Sequence, residues 1–515
     1  MYTDVMTEIA RFKAGRIHVA RAGLATQARL CVDMLQQGRG MAWVVKNRDE
    51  LLTARALMRL FSPELSSSDF LPDALDKGGW TSLPPFSPRS ANREGWTERL
   101  SALYALRSGQ AKGLILTADN LLPKLVPLDF FENREVTLIR GEDVSLDMIL
   151  EQAVEWGYER VSMVSNPGEI ARRGDILDIM PPGYDKPIRL DFFGDLIEEI
   201  RLFDPVSQRS KANLSEVRVL PVSPIRQSPA DQAKMQARWK SLFQKNMLTE
   251  NERFGLTRLQ EQGDFRLLPG CCYDTATNLE AWLPADTVWV LPGLSDFRDM
   301  LSSAERLWTE AFEAQDVEGR PQPQRLAMRE ASDVESACER FACVHAEPLV
   351  MGIAKGIHDL PERSLSSFED LFPSTAEQDR PWQTLVQALK RWQNDKRQTI
   401  LCFASEKSRT KFLNLASQDG LSPLLRYSGE QHGLFALVAP FRAGAELIWD
   451  QSLIFGEDLL QPHAEKSRRV PTGAFKGLDR YDELKPGDLL VHRDYGIARF
   501  GGLLRMETGS TANDF

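Results

Sequence analysis

Apolar and polar positions alternate between Ile188 and Phe193 as a strand requires: a period of two places Ile188, Leu190 and Phe192 on one face and Arg189, Asp191 and Phe193 on the other. The first set predicts a core face. Gly194 and Asp195 supply a turn, and Leu196, Ile197, Ile200, Leu202 and Phe203 continue into a partner strand, so a hairpin is predicted. Phe193 then stands beside an arginine on the outer face. An aromatic ring supplies apolar area at low entropic cost and a guanidinium adds directed hydrogen bonds, the combination from which protein-binding hot spots are built. Spacing alone leaves equally open that Phe193 packs beneath a neighbouring loop.

The same patterning divides the rest of the chain. Strands are predicted at Met41 to Val45 and Gly113 to Thr117, with a helical period from Asp49 to Phe61 and a Ser/Pro-rich loop from Ser62 to Arg93 between them; this is a first α/β segment, residues 1–133. Val136 to Arg140 reads as a strand and opens a second segment, 134–221. There Ser145 is a plausible N-cap, Leu146, Ile149, Leu150 and Ala153 share a helical face, and Gly157 closes the helix before the hairpin. A polar helical stretch (Asp231 to Leu248), a strand (Thr287 to Leu291) and a helix from Asp296 return to the α/β pattern in 222–325, ending at the Pro/Gln loop Gly319 to Gln324. A strand (Ile400 to Phe403), a helix (Lys407 to Ser417) and a strand (Leu434 to Ala439) predict a small separate α/β domain in 326–462. Residues 463–481 form a linker and 482–515 a last segment, in which Leu484 to Leu503 reads as strand, turn, strand with Gly496 at the bend.

At 515 residues, 42% hydrophobic and 26% charged, the chain has globular composition and is too long for one core. No stretch approaches the ~20 apolar residues of a membrane span, and the opening MYTDVMTEIARFKAGR lacks the apolar centre of a signal peptide, so a cytoplasmic protein without membrane association is expected. Six scattered cysteines without CxxC pairs give neither a disulfide framework nor a zinc site; Cys338, Cys343 and His345 form a lone cluster better explained by packing, and no metal is expected. A net charge of −10 argues against an extended nucleic-acid surface. The densest basic run, Lys466, Arg468, Arg469, Lys476 and Arg480, surrounds Pro471, Gly473 and Gly477 and reads as linker.

The residues 168–209 also carry a long collinear motif: GE-x-A-x-RG at Gly168 to Gly174, Asp178, PPG at Pro181 to Gly183, RLDFF at Arg189 to Phe193, and Ile197 to Arg209 ending FDP-x-SQR. It resembles the module that bacterial transcription-repair coupling factors share with the excision-repair damage-loading protein UvrB. The resemblance implies binding of UvrA through Arg173, Arg189 and Phe193. It further implies an α/β multidomain fold, in which a UvrB-like α/β domain is interrupted by an inserted α+β hairpin module and followed by a small α/β domain of unclear role. The run VH-x-x-YGI-x-R-F is similar to the opening of the RNA-polymerase-interacting domain, the start of a Tudor-like β-barrel shared with CarD-type regulators. That likeness implies contact with the RNA polymerase β subunit through Val491, His492, Tyr495, Gly496, Arg499 and Phe500. In this family the ATP-driven motor for double-stranded DNA lies after the polymerase-binding domain, so ATP and Mg²⁺ are expected of the full-length protein and not of this part.

A UvrB-like domain normally starts with a phosphate loop, GxxxxGK[ST], whose amides cradle phosphates while Ser or Thr holds Mg²⁺. The equivalent stretch here is Gly23 to Leu30, with Ala28, Arg29 and Leu30 in place of Gly, Lys and Thr. Leu30 cannot bind Mg²⁺ and Ala28 lacks glycine's freedom. Arg29 is expected as a surface arginine, with an anion contact at a helix N-terminus the alternative. No apolar run ends in an Asp-Glu pair, and no Ser/His/Asp or Cys/His set assembles, so no catalytic residue is assigned. The expected role is a non-catalytic adaptor. The alternatives are a UvrB-like ATP-dependent damage-loading helicase, which the missing phosphate loop disfavours, and a UvrA-independent polymerase regulator, which leaves most of the chain without a role.

Overall fold

The computed structural model describes residues 2–11, 14–62, 79–88, 90–347, 357–373, 380–427, 432–439 and 441–460, together with the backbone of four strands in 461–515. The chain divides into two units, Met1–Leu460 and Gln461–Phe515.

After the helix Tyr2–Arg11 the first unit continues with β1 (Gly15–Ala20), β2 (Met41–Val45), β3 (Gly79–Leu83) and β4 (Ala111–Thr117). Every residue of β2 is buried, as a parallel strand covered on both faces must be. The helix Arg48–Phe61 starts where the Asn47 side chain accepts from the Glu50 N–H, and Arg93–Arg107 starts likewise at Asn92. The predicted loop from Ser62 to Arg93 is therefore not loop throughout. Its part Gly79–Leu83 is a strand that pairs parallel to β4, an assignment set by its neighbour because GWTSL is too short to show a period.

The chain then leaves this sheet. It passes through β5 (Val136–Ile139), the helix Leu146–Glu155, β6 (Glu159–Arg160), β7 (Glu169–Arg173), β8 (Ile176–Ile179), β9 (Ile188–Phe193), β10 (Leu196–Phe203), β11 (Ser210–Leu214) and β12 (Glu216–Val219). Strands β6 to β11 form one sheet in sequential order, antiparallel except for β6 and β7. The helix lays Leu146, Ile149, Leu150 and Ala153 on the sheet residues Leu177, Leu190, Phe192 and Ile200. β5 and β12 pair antiparallel, so the chain enters and leaves this module side by side. That geometry lets a complete module interrupt another sheet.

The interrupted sheet resumes with β13 (Val288–Pro292), β14 (Ala342–Glu347) and β15 (Ile357–Asp359). Seven parallel strands result, in the order β15-β1-β14-β13-β2-β4-β3, with the two halves joined where β13 meets β2 and where β1 lies between β15 and β14. The second half was expected to end at residue 325; β14 and β15 extend it to Asp359. One face (Val44, Leu114, Leu116, Leu291) packs on the helices Arg93–Arg107 and Leu294–Val317, the other (Trp43, Ile115, Val290) on Leu24–Gln36 and Arg48–Phe61.

Beyond it come β16 (Glu362–Leu365), β17 (Gln398–Phe403), β18 (Leu434–Val438), β19 (Gly444–Leu447) and β20 (Ser452–Gly456), in the order β16-β19-β20-β17-β18. This sheet is not the separate domain that the spacing of its elements predicts. Leu401, Phe403 and Phe455 pack beneath its own helices Pro381–Asn394 and Glu406–Gln418, but Ile400, Cys402, Phe435 and Ile454 join the core that contains helix Leu24–Gln36. Both faces of β17 are buried because each belongs to a different core.

Among the described residues the second unit contains two antiparallel strand pairs, β21 (Leu489–His492) with β22 (Gly496–Arg499), and β23 (Arg505–Thr508) with β24 (Thr511–Asp514).

Candidate functional site

The register of the module's sheet brings the three predicted residues onto one face. Arg173 lies opposite Ile176, and Ile176 opposite Asp191; Ala171 lies opposite Asp178, and Asp178 opposite Arg189; Phe193 lies opposite Leu196. Directly opposed residues of antiparallel strands share a face, so Arg173, Arg189 and Phe193 all point away from the core. The alternative left open for Phe193 is removed: its ring is 73% exposed. The turn behind it is held by Gly194 at φ +63°, the left-handed region that glycine enters without strain.

Arg189 is fixed rather than free. Its Nε and Nη2 donate to Asp178 Oδ1 and Oδ2 at 2.7 and 2.8 Å, Nη2 also donates to Gln208 Oε1 at 3.0 Å, and the guanidinium lies 4.4 Å from the centre of the Phe203 ring. The Asp178 hydrogen bonds push the Arg189 pKa further up, so it stays charged at any working pH. Arg173 is exposed and donates from Nη2 to the Ser162 carbonyl at 2.7 Å, while the neighbouring Arg172 pairs with Asp147. Asp191 pairs with Arg201 on the same face.

Sequence reasoning missed the turn that supports Arg189. The Asp204 carboxylate accepts from the Ser207 N–H at 2.8 Å and its Oγ at 2.9 Å, and these bonds to Ser207 lower the Asp204 pKa. The turn delivers Gln208, at φ +57°, to Arg189 and leaves Val206 92% exposed. Met163, next to the carbonyl that holds Arg173, is also exposed. The FDP-x-SQR run was the available signal, since Asp before Pro with Ser three residues after the Asp marks such a turn. A rigid sheet thus presents one free aromatic ring and two anchored arginines, an arrangement suited to a partner with an apolar pocket and an acidic rim.

The other predicted positions behave differently. Gly23 caps helix Leu24–Gln36, whereas Ala28 and Leu30 are wholly buried in the core. Arg29 is not the surface arginine expected: it donates to the Tyr427 hydroxyl at 2.8 Å, pairs with Asp33 at 3.4 Å and lies over the Phe61 ring. It faces the five-stranded sheet because Tyr427, which precedes β18, is brought against this helix. Val491, His492, Gly496 and Arg499 lie on β21 and β22, while Tyr495 and Phe500 fall outside the described residues, as does the linker 463–481. Cys338 and Cys343 are buried, with Cys343 Sγ donating to the Cys338 carbonyl at 3.2 Å, and no group of metal ligands is found among the described residues. No described helix is long and apolar enough to cross a membrane.

Residues 136–224 match the family described as the UvrB interaction domain, which spans the whole module. Residues 484–515 match the CarD-like/TRCF RID domain. Across most of its length the chain resembles the transcription-repair coupling factors. It is 28% identical over 481 residues to the transcription-repair-coupling factor of Myxococcus xanthus, covering 84% of this chain and 38% of that protein. The corresponding factor of Escherichia coli (strain K12) is 26% identical over 468 residues, 85% of this chain and 38% of the relative, and that of Haemophilus influenzae 26% over 497 residues, 90% and 40%. The chain therefore spans about two fifths of the length of the curated coupling factors it matches.

Proposed function

We propose that this chain is the amino-terminal, non-catalytic adaptor part of a transcription-repair coupling factor, which recruits UvrA of nucleotide excision repair to RNA polymerase stalled at DNA damage. The observation that carries this reading is the exposed Phe193 on the same sheet face as Arg173 and Arg189, inside the stretch that matches a UvrB interaction domain. The ring enters a pocket on UvrA and the arginines meet carboxylates at its rim. Contact with the polymerase β subunit falls to the segment 484–515, the opening of a Tudor-like barrel. ATP, Mg²⁺ and translocation on double-stranded DNA belong to the remaining three fifths of the coupling factor, in the cytoplasm.

Calorimetric titration of UvrA into the chain tests the reading. Binding that Phe193→Ala weakens roughly thirtyfold while the thermal midpoint is kept is the expected result; a wild-type chain that does not bind UvrA refutes it.

A further inference from the structure

Helix Leu24–Gln36 follows β1 directly, the place where a parallel α/β sheet turns backbone N–H groups toward a bound phosphate. Here the protein supplies the acceptor, the Glu362 carboxyl, whose pKa is raised by burial while the hydrogen bonds from Thr26 and Ala25 act to lower it. The Thr26 N–H donates to Glu362 Oε2 at 2.7 Å and the Ala25 N–H to Oε1 at 3.3 Å, on a residue 336 positions beyond Thr26 in the chain. A Cβ at position 23 would lie 2.3 Å from Oε1, so the approach depends on Gly23.

The carboxylate is not a side chain that has swung in. The Leu360 N–H donates to the Ala20 carbonyl and the Glu362 N–H to the Arg21 carbonyl, each at 3.0 Å, so the backbone leading into β16 is zipped onto the end of β1. Arg21 pairs with Asp359 beside it. Further contacts come from the same part of the chain. Trp449 Nε1 donates to Thr26 Oγ1 at 3.0 Å, and Trp449 stacks on Tyr2 with ring centres 4.4 Å apart. Tyr427 holds Arg29, the one cation of the stretch that replaces the phosphate-loop lysine.

We propose that Glu362 is a built-in substitute for a nucleotide phosphate: it fills the anion position at the start of helix Leu24–Gln36, closes that position to nucleoside di- and triphosphates, and fastens the five-stranded sheet to the seven-stranded one. A domain of nucleotide-binding layout is thereby turned into a rigid mount whose shape does not depend on nucleotide. This inference stands on contacts outside the recognition module and is independent of UvrA binding.

The test uses pyrophosphate as probe, at constant ionic strength set with sodium chloride, on the wild-type chain, Glu362→Ala and Glu362→Gln. The wild-type thermal midpoint should not respond to pyrophosphate beyond the chloride control. Glu362→Ala should melt several degrees lower and regain part of the loss in millimolar pyrophosphate, because the vacated amides accept the added anion. A wild-type midpoint that rises with pyrophosphate overturns the proposal, as does an alanine variant that melts like wild type or melts low without responding. Should Glu362→Ala not fold, Glu362→Gln keeps the shape and is read by amide hydrogen exchange. The Thr26 N–H should exchange roughly tenfold faster than in wild type, since a carboxyl whose two oxygens both accept is replaced by an amide whose NH2 opposes one of the two N–H groups. An unchanged rate refutes the claim.

Discussion

Asp178 on β8 and Arg189 on β9 face each other and close a two-pronged ion pair at 2.7 and 2.8 Å, in which the carboxylate is almost wholly buried. Two parallel N–H···O bonds are the strong form of such a pair, and they set the guanidinium plane that the outer face displays.

Removing the arginine strands a buried carboxylate. Arg189→Ala should therefore lower unfolding free energy by about 3 kcal/mol in urea melts, and adding Asp178→Asn should recover part of that loss. Loss of UvrA binding in Arg189→Ala alone would not separate contact from stability; an unchanged urea midpoint would show that the pair contributes nothing to the fold.

Phe193 is the cleaner probe. Its ring touches solvent rather than core, so Phe193→Ala should alter stability by less than about 0.5 kcal/mol. If the ring is a central anchor, UvrA affinity should fall by about 2 kcal/mol, roughly thirtyfold, in titration calorimetry. An affinity within a factor of two of wild type would remove Phe193 from the interface.

The aim of that ring depends on Gly194 at φ +63°. Space is free around a Cβ there, so Gly194→Ala would cost only the left-handed backbone strain, about 1 kcal/mol, measured as a lower denaturation midpoint. A stabilised variant would mean that the turn has another conformation.

A pH effect is expected from His345. Burial lowers its pKa from the ordinary 6.5, with the stacked His18 ring at 5.5 Å and Arg16 acting in the same direction, while the Pro292 carbonyl and Glu347 oppose them. The unfolded chain then takes up the proton first as pH falls. The neutral buried ring contributes its full stability above pH 6.5 and loses it as pH drops through the lower folded value. The thermal midpoint of wild type should decline below pH 6.5 more steeply than that of His345→Asn; parallel curves would contradict this.

What the sequence determined by itself is local. Six residues of period two sufficed to separate Leu190 and Phe192 from Arg189 and Phe193, because side chains on a strand alternate whatever lies around them. That Ala28 and Leu30 carry no oxygen able to hold Mg²⁺ was equally legible, since a missing side-chain chemistry needs no partner to be recognised. Tertiary structure decided everything that required knowing what comes near. Alternation could not tell whether a loop covers Phe193, nor that Gln208 and Asp178 hold Arg189 from two sides. GWTSL became β3 only by pairing with β4, and β14 and β15 joined the first sheet only by pairing with β1 and β13. Glu362 and Thr26 meet across 336 residues, a contact on which neither stretch carries a mark, because hydrogen-bond partners so far apart are chosen by the folding of two sheets and not by the periodicity of either.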